Sequence, residues 1–450
     1  MKLNSLLILG ALAVSSAAQA ATFDVYITGS TAGRSSTFAA VAAALTGETV
    51  YQDDASLPKA VKANFIGGTN GGNTYNVYCA FYGSAAGIQA LDTPLAPLFM
   101  TNNTGGAGVP GTITTATHAA HIALADVFQN TTIFTTSTLT DTKAIVLPFK
   151  FMTSPGSPVT NVKPQVFQVI ASGGEAPAAL FTGSSADRTK GVILCGRDSG
   201  SGTRLVTMAE TGNGANYGAI QWEPTFGPSG AINQTLSSVV VTNGSAAVTH
   251  AVVTTFAVAG QPVYGAGIPV DAVVAAAPAP TATTFSLSVP ATANGTAARL
   301  GLRTNVINSA PGGGADSGGK VANYVSARTD FPGFVLSSDN GLSPSYMLGY
   351  LGLADATTAA TQGAVECSYN GVTYSDAALQ DGSYTLWGYL HLFIPTTPAA
   401  GAQFMHDQIL ANLIATPGSS GRSNILTSAL PPGPMAVRRL ADGSNVITNY

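Results

Sequence analysis

The chain has 450 residues, long enough for two or three domains with cores of their own. Only 9% of them are charged, the formal net charge is -4, and 51 are glycine. Against about a quarter charged in an average soluble protein, this excludes the basic face that a nucleic-acid partner needs.

The N-terminus carries Lys2, an apolar core from Leu6 to Val14, and Ala18-Gln19-Ala20 before Ala21. That pattern predicts a secretory signal peptide, residues 1–20, and not a membrane span. No cysteine stands just after the expected cleavage point, so a soluble mature chain without a lipid anchor is expected, in the periplasm or outside the cell. No later stretch is long and apolar enough to cross a bilayer.

The mature chain then repeats one theme three times. Residues 22–27 alternate as a strand, run into Thr28-Gly29-Ser30-Thr31-Ala32-Gly33-Arg34, and continue as a helix over 35–45. Residues 76–82 form a second predicted strand, ending in Gly83-Ser84-Ala85-Ala86-Gly87 before a helix that opens at Ile88. The third is the apolar run Gly191-Val192-Ile193-Leu194-Cys195, then Gly196-Arg197-Asp198-Ser199-Gly200-Ser201-Gly202-Thr203, then a helix over 204–210. A strand that feeds such a turn into a helix leaves backbone N–H groups unpaired at the positive end of the helix dipole, which favours an anion. Ser201 and Thr203 add hydroxyl donors, and Arg197 adds a charge able to bind two oxygens. One Gly/Ser turn is a common helix cap; three in an open α/β pattern predict a cleft where helix N-termini converge.

Residues 230–304 break this pattern. Short β-branched runs around Asn243-Gly244 and Gly265-Ala266-Gly267-Ile268-Pro269, charged only at Asp271, Arg299 and Arg303, predict a small all-β module. Adhesion to a partner or cell wall and a decorative insertion both remain readings of it. A helix over 319–327, with Lys320 near its start, is expected to face the cleft, and an amphipathic helix over 401–414 to pack on the first lobe. Chain crossings are expected near 146–148 and 389–394, giving a hinge that closes on the ligand. Cys79, Cys195 and Cys367 form no CxxC; buried small residues on strands are the plain reading, and one disulfide the other.

Taken in series, Gly29-Ser30-Thr31, Tyr82-Gly83-Ser84-Ala85-Ala86-Gly87-Ile88 and Arg197-Asp198-Ser199-Gly200-Ser201-Gly202-Thr203 resemble the phosphate-binding proteins of bacterial ABC phosphate importers. Met347-Leu348-Gly349-Tyr350-Leu351-Gly352 resembles the family's "IGY" strand, and Asp381-Gly382-Ser383-Tyr384-Thr385-Leu386 its "DGtYPl" stretch. The resemblance implies an α/β, two-lobed type II periplasmic-binding-protein fold with the all-β module inserted. Lobe I would comprise 21–148 and 390–450, lobe II 149–229 and 305–389. It implies binding of phosphate or a similar tetrahedral oxyanion, an ABC permease as partner, a monomer, no cofactor or metal, and no catalysis. The ligand-binding residues it implies are Thr31, the Ala32 backbone, Ser84, Arg197, Ser201, Gly202 and Thr203. An aspartate that accepts the proton of protonated phosphate is carried over to Asp126, with Asp92 the nearer competitor. Such a carboxylate discriminates because sulfate has no proton to give and would face it lone pair to lone pair in a desolvated site. Ala32 departs from the family's aromatic residue, and Arg34 adds a cation, read as facing solvent with contact to the anion as the alternative.

Rival readings are a surface-exposed or scavenging relative with no transporter, and a serine hydrolase acting through Ser199. Arg197-Asp198-Ser199-Gly200 and Ala119-Ala120-His121 echo chymotrypsin-like proteases, but Arg197 occupies the place of the oxyanion-hole glycine and a helix follows Ser199. His118 and His121 have the spacing to hold a metal with Asp126, but no further ligand clusters with them, which favours satisfied or exposed histidines.

Overall fold

The structure, a computed structural model, describes residues 20–93, 95–224, 234–253, 257, 259–261, 263–269, 272–296, 298–300, 306–309, 313–326, 342, 344–415 and 429–448. The expected signal peptide up to residue 19, and Asp271 of the insertion, lie outside the described residues.

The main strands are β1 (Thr22–Gly29), β2 (Thr49–Gln52), β3 (Lys62–Asn70), β4 (Asn73–Ala80), β5 (Leu98–Asn103), β6 (Ile113–Thr117), β7 (Ile122–Ala125) and β8 (Leu139–Thr153). They continue with β9 (Glu175–Pro177), β10 (Gly191–Cys195), β11 (Ser345–Gly352), β12 (Val365–Tyr369) and β13 (Trp387–Pro395). The helices that matter are α1 (Arg34–Ala44), α2 (Ser84–Asp92), α3 (Pro164–Gly173), α4 (Gly202–Glu210), α5 (Gly318–Val325), α6 (Leu353–Thr361) and α7 (Ala400–Ile414).

One mixed sheet joins β9-β10-β11-β8-β13-β7-β1-β4-β3-β2, and β12 pairs with β8 off this path. Residues of β10 are buried throughout, and β11 and β13 are buried except at their last residue. Such continuous apolar strands are stable only where helices cover both faces. The long β8 runs through the whole molecule and changes partner midway. Residues 139–148 lie antiparallel to β13, with Pro148 opposite Trp387, while Phe149 to Thr153 pair with β11. Proline has no N–H for the ladder, and the next N–H, that of Phe149, donates to the Leu386 carbonyl at 3.0 Å. The joint therefore falls at Leu147-Pro148-Phe149, and the architecture is a two-lobed α/β fold.

The return crossing lies at residues 385–387, ahead of the expected 389–394. All of β13 is already paired with the first half of β8, so the chain has re-entered that lobe by Trp387. The stretch from 91 to 117 holds an antiparallel hairpin, β5–β6. Helix α7 packs on the first lobe, with Phe404 stacked on Tyr75 at 5.0 Å and Asn412 donating to the Ala40 carbonyl at 2.8 Å. Phe38, Phe65 and Phe81 meet beneath α1, each buried aromatic contributing about 1.5–3 kcal/mol relative to exposure.

The second lobe has a smaller core on one sheet face, formed by Met152, Ile193, Cys195, Met347, Leu351 and the inner residues of α5 and α6. Helix α5 stands where the 319–327 helix was expected, but Lys320 turns to the surface and pairs with Asp316 at 2.8 Å. An antiparallel ribbon, Gln221–Pro224 with Val306–Ser309, leads to the inserted module. Among the described residues that module shows two three-stranded sheets around its own core of Leu236, Val239, Val241, Val248, Phe285 and Leu287. All three cysteines are buried on strands with free thiols. No helix among the described residues is long and apolar enough to cross a membrane.

Candidate functional site

The three strand-to-helix turns meet where the lobes touch. From the first lobe come the turn before α1, the N-terminus of α2 and the end of β7; from the second comes the turn before α4. Gly83 shows why sequence and geometry are bound together here. It has φ +114°, and a Cβ on it would come 2.7 Å from the Gly200 carbonyl oxygen, so only glycine suits both the backbone and the approach. That approach lets the Ala85 N–H of α2 donate to the Gly200 oxygen across the lobes at 3.0 Å.

Asp126, just after β7, is the hub. Ser84 Oγ donates to its Oδ1, the Asp126 N–H donates back to Ser84 Oγ at 3.1 Å, and Thr203 Oγ1 donates to Oδ2 at 3.3 Å. Ser30 adds a further side-chain bond. The carboxyl is 1% exposed, and burial pushes its pKa up to about 6 against the pull of those hydrogen bonds and of Arg197. Gly202 lies against it, where a Cβ would come 2.0 Å from Oδ1 and 2.5 Å from Ser84 Oγ. No other residue fits at 202 unless the carboxylate moves.

Arg197 reaches the same place from the second lobe. Its Nε donates to the Ala315 carbonyl at 3.0 Å and its Nη2 to the Asp316 carbonyl at 3.1 Å. The remaining nitrogen, Nη1, donates to Thr31 Oγ1 at 3.3 Å, again across the lobes. Its backbone is anchored too: the N–H donates to Tyr350 Oη at 3.2 Å, and the carbonyl accepts from Arg204 Nη1 and Gln221 Nε2. Asp198 closes the turn, accepting from the Gly200 N–H at 2.8 Å. Ser201 caps α4, its Oγ accepting from the Arg204 N–H at 3.4 Å.

The residues singled out from the sequence thus lie together: Thr31, Ala32, Ser84, Asp126, Arg197, Ser201, Gly202 and Thr203. Ser84, Asp126, Arg197, Ser201 and Thr203 are all buried, while Ala32 contributes its N–H, which donates to Ser30 Oγ at 3.1 Å. Asp92 is elsewhere. It is the last residue of α2, and its carboxylate accepts from the Ser137 N–H. Arg34 does not face solvent as read from the sequence; it is half-buried in the cleft, with Nε donating to the Pro58 carbonyl at 3.2 Å. The α1 helix starts one residue earlier than expected, at Arg34, and that side chain lines a cavity together with Gly352 and Asp355 of the second lobe.

Sequence reading missed the support. Ala315 and Asp316 offer only backbone carbonyls, more than a hundred residues from Arg197, and leave no signal in side-chain type. Ser30 was visible as part of its turn, but nothing in the pattern separates it from Thr31.

Ser199 sits on the exposed turn before α4. The five histidines have their contacts elsewhere: His118 and His121 on Tyr26, His250 on Phe285, His391 on Asp141 and His406 on Asp407. Among the described residues no three His, Cys, Asp or Glu side chains gather as metal ligands.

Fold and site together define a two-lobed α/β protein whose interlobe cleft holds hydroxyl and guanidinium donors around one buried carboxyl. No protein-family description and no curated protein matches the chain. Among solved structures it is similar to a putative phosphate ABC transporter substrate-binding protein with bound phosphate from Clostridium perfringens, at 11% identity and TM-score 0.42, covering 91% of this chain and 99% of that one. It is also similar to an ABC-type phosphate transport receptor from Vibrio cholerae, at 11% identity and TM-score 0.38, covering 89% and 96%. A third is PstS from Borrelia burgdorferi, at 12% identity and TM-score 0.34, covering 89% and 95%.

Proposed function

We propose that the protein binds phosphate, or a closely similar tetrahedral oxyanion, between its two lobes, and does so outside the cytoplasm as the receptor of an ABC-type uptake system. The observation that carries this reading is the pairing of one backbone-clamped guanidinium, Arg197, with one buried carboxyl, Asp126, inside a set of hydroxyls from both lobes.

Each part has a task. The Arg197 guanidinium supplies charge, and because two carbonyls already fix its plane, little side-chain entropy remains to be lost on binding. Thr31, Ser84 and Thr203 are neutral donors whose hydroxyls rotate from their protein partners to the anion. The α4 N-terminus adds backbone N–H groups and its dipole. The Asp126 carboxylate accepts the proton that hydrogen phosphate carries and sulfate lacks. Contacts from both lobes favour the closed arrangement, which shields the anion from water.

Isothermal titration of the protein lacking residues 1–20 with phosphate, arsenate, sulfate and molybdate tests the reading. Phosphate and arsenate are expected to bind near neutral pH and sulfate to bind at least a hundredfold more weakly. Absence of heat with all four anions would refute it.

A further inference from the structure

Two opposite charges from different lobes, Arg34 and Asp355, meet on one cavity of the cleft. Arg34 opens α1 of the first lobe. Asp355 lies in the first turn of α6, between β11 and β12, and both of those strands pair with the far part of β8 in the second lobe. The cavity has a volume of about 30 Å³ and also takes in Thr31, Ala32, Pro148 and Gly352. Among the described residues of its lining, Arg34 and Asp355 are the charged ones. The walls that face each other are small: a Cβ on Gly352 would stand 3.6 Å from the Ala32 methyl, so the starts of α1 and α6 approach closely.

Neither charge is consumed inside its own lobe. Arg34 spends Nε on the Pro58 carbonyl and keeps both Nη groups. The first-lobe carboxylates that act on it are engaged with backbone: Asp53 accepts from the Val61 N–H at 2.8 Å and Asp54 from the Ser56 N–H at 2.9 Å. Asp355 outweighs both as the favourable charge on Arg34. In return Arg34, ahead of Arg197, draws the Asp355 carboxyl down against the burial that raises it. Asp355 has little freedom to swing away, since even a Cβ on Gly318 at the start of α5 would run into its Oδ2. The dipole of α6 favours a carboxylate in this first turn by itself, but it does not call for a guanidinium from the other lobe. Both side chains are half-buried, so they attract more strongly than surface charges and escape the full desolvation cost of an ion pair in a core.

Building on the anion reading, we propose that Arg34 and Asp355 form a charge latch between the lobes, a pair of positioning residues that stabilises the closed cleft and slows release of the anion without touching it. Opening the cleft separates the two charges and returns each to water, so their attraction counts only in the closed state. The latch works beside the anion site because Thr31, whose hydroxyl meets Arg197, lines the same cavity. Its loss falls on the dissociation rate, with the association rate little changed.

Calorimetry and stopped-flow release of phosphate, for the wild type, Arg34→Gln, Asp355→Asn, the double variant and Arg34→Lys, test this. Each of the two neutral variants is expected to bind phosphate at least about threefold more weakly through faster release, the double variant no more weakly than the worse single one, and Arg34→Lys to keep most of the affinity. Asp355→Asn removes a negative charge from the neighbourhood of Arg197, so a mere bystander carboxylate would give tighter binding when neutralised. Affinity unchanged or raised in Asp355→Asn, losses that add in the double variant, or a loss confined to the association rate overturns the latch while the anion site stands. Failure of the wild type to bind phosphate overturns the anion reading instead. Solution scattering of the ligand-free proteins then decides the latch: both neutral variants should have a larger radius of gyration than the wild type, and equal radii would overturn it.

Discussion

Buried beside Ser84, Thr203 and Ser30, the Asp126 carboxyl titrates at about 6 in the folded protein instead of near 3.8. The folded state therefore holds a proton that the unfolded chain releases over that interval, and stability falls as pH rises from about 4 to about 6. At neutral pH the cost of the buried charge is about 3 kcal/mol. Asp126→Asn should accordingly raise the melting temperature of the ligand-free protein at pH 7 by a few degrees, with the gain vanishing near pH 4; a lowered melting temperature at pH 7 would contradict this. The same titration bears on selectivity. Once Asp126 carries its own proton it can donate to sulfate, so the ratio of phosphate to sulfate affinity should fall by more than about tenfold between pH 8 and pH 5. Arg197→Ala and Ser201→Ala should each weaken phosphate binding more than tenfold, about 1.4 kcal/mol or more. Gly202→Ala should do at least as much, since its methyl would displace the Asp126 carboxylate; calorimetry reads all three.

Helix α4 is held at both ends, and the far end explains how the near end stays in place. Its last residue, Glu210, whose side chain is 9% exposed, pairs with the buried Arg439 at 2.7 Å. Arg439 also donates to the Trp387 and Thr385 carbonyls and lies 4.6 Å from the Trp387 ring centroid. Burial keeps the Glu210 carboxyl above its ordinary range even beside this cation, so the pair's desolvation is large and each charge depends on the other. Glu210→Ala alone should destabilise by about 3–5 kcal/mol, whereas joint replacement of Glu210 and Arg439 by apolar residues should cost much less. Thermal melts of these two variants and of the Arg439 single replacement decide this, and an additive double variant would count against the coupling. Nothing near Glu210 in sequence announces its partner, which lies more than two hundred residues away.

For the whole molecule, the expected hinge falls at the change of partner along β8 at Pro148. Phosphate should make the protein more compact, read as a smaller radius of gyration by solution scattering, and Arg197→Ala should remove that change. The module of residues 234–300 has its own core and joins the second lobe through a two-stranded ribbon. Replacing it by a short Gly/Ser linker should leave phosphate affinity within about twofold of wild type. A larger loss would show that the module helps to position α4 or Arg197.

The alternation of β1, the apolar runs of β10 and β11, and the glycines and hydroxyls after each strand were enough to specify the α/β class and the three turns, because period and turn chemistry are local properties. The β character of the insertion was legible for the same reason. What lay beyond the sequence were the meetings: Arg197 clamped by the carbonyls of Ala315 and Asp316, Asp126 among hydroxyls of both lobes while Asp92 turns to Ser137, and Arg34 brought with Asp355 to one small cavity of the cleft. Each depends on which distant segments share a volume of a few ångströms, and on burial that charges and hydrogen bonds then have to satisfy. Periodicity carries no record of that; only the packed lobes decide it.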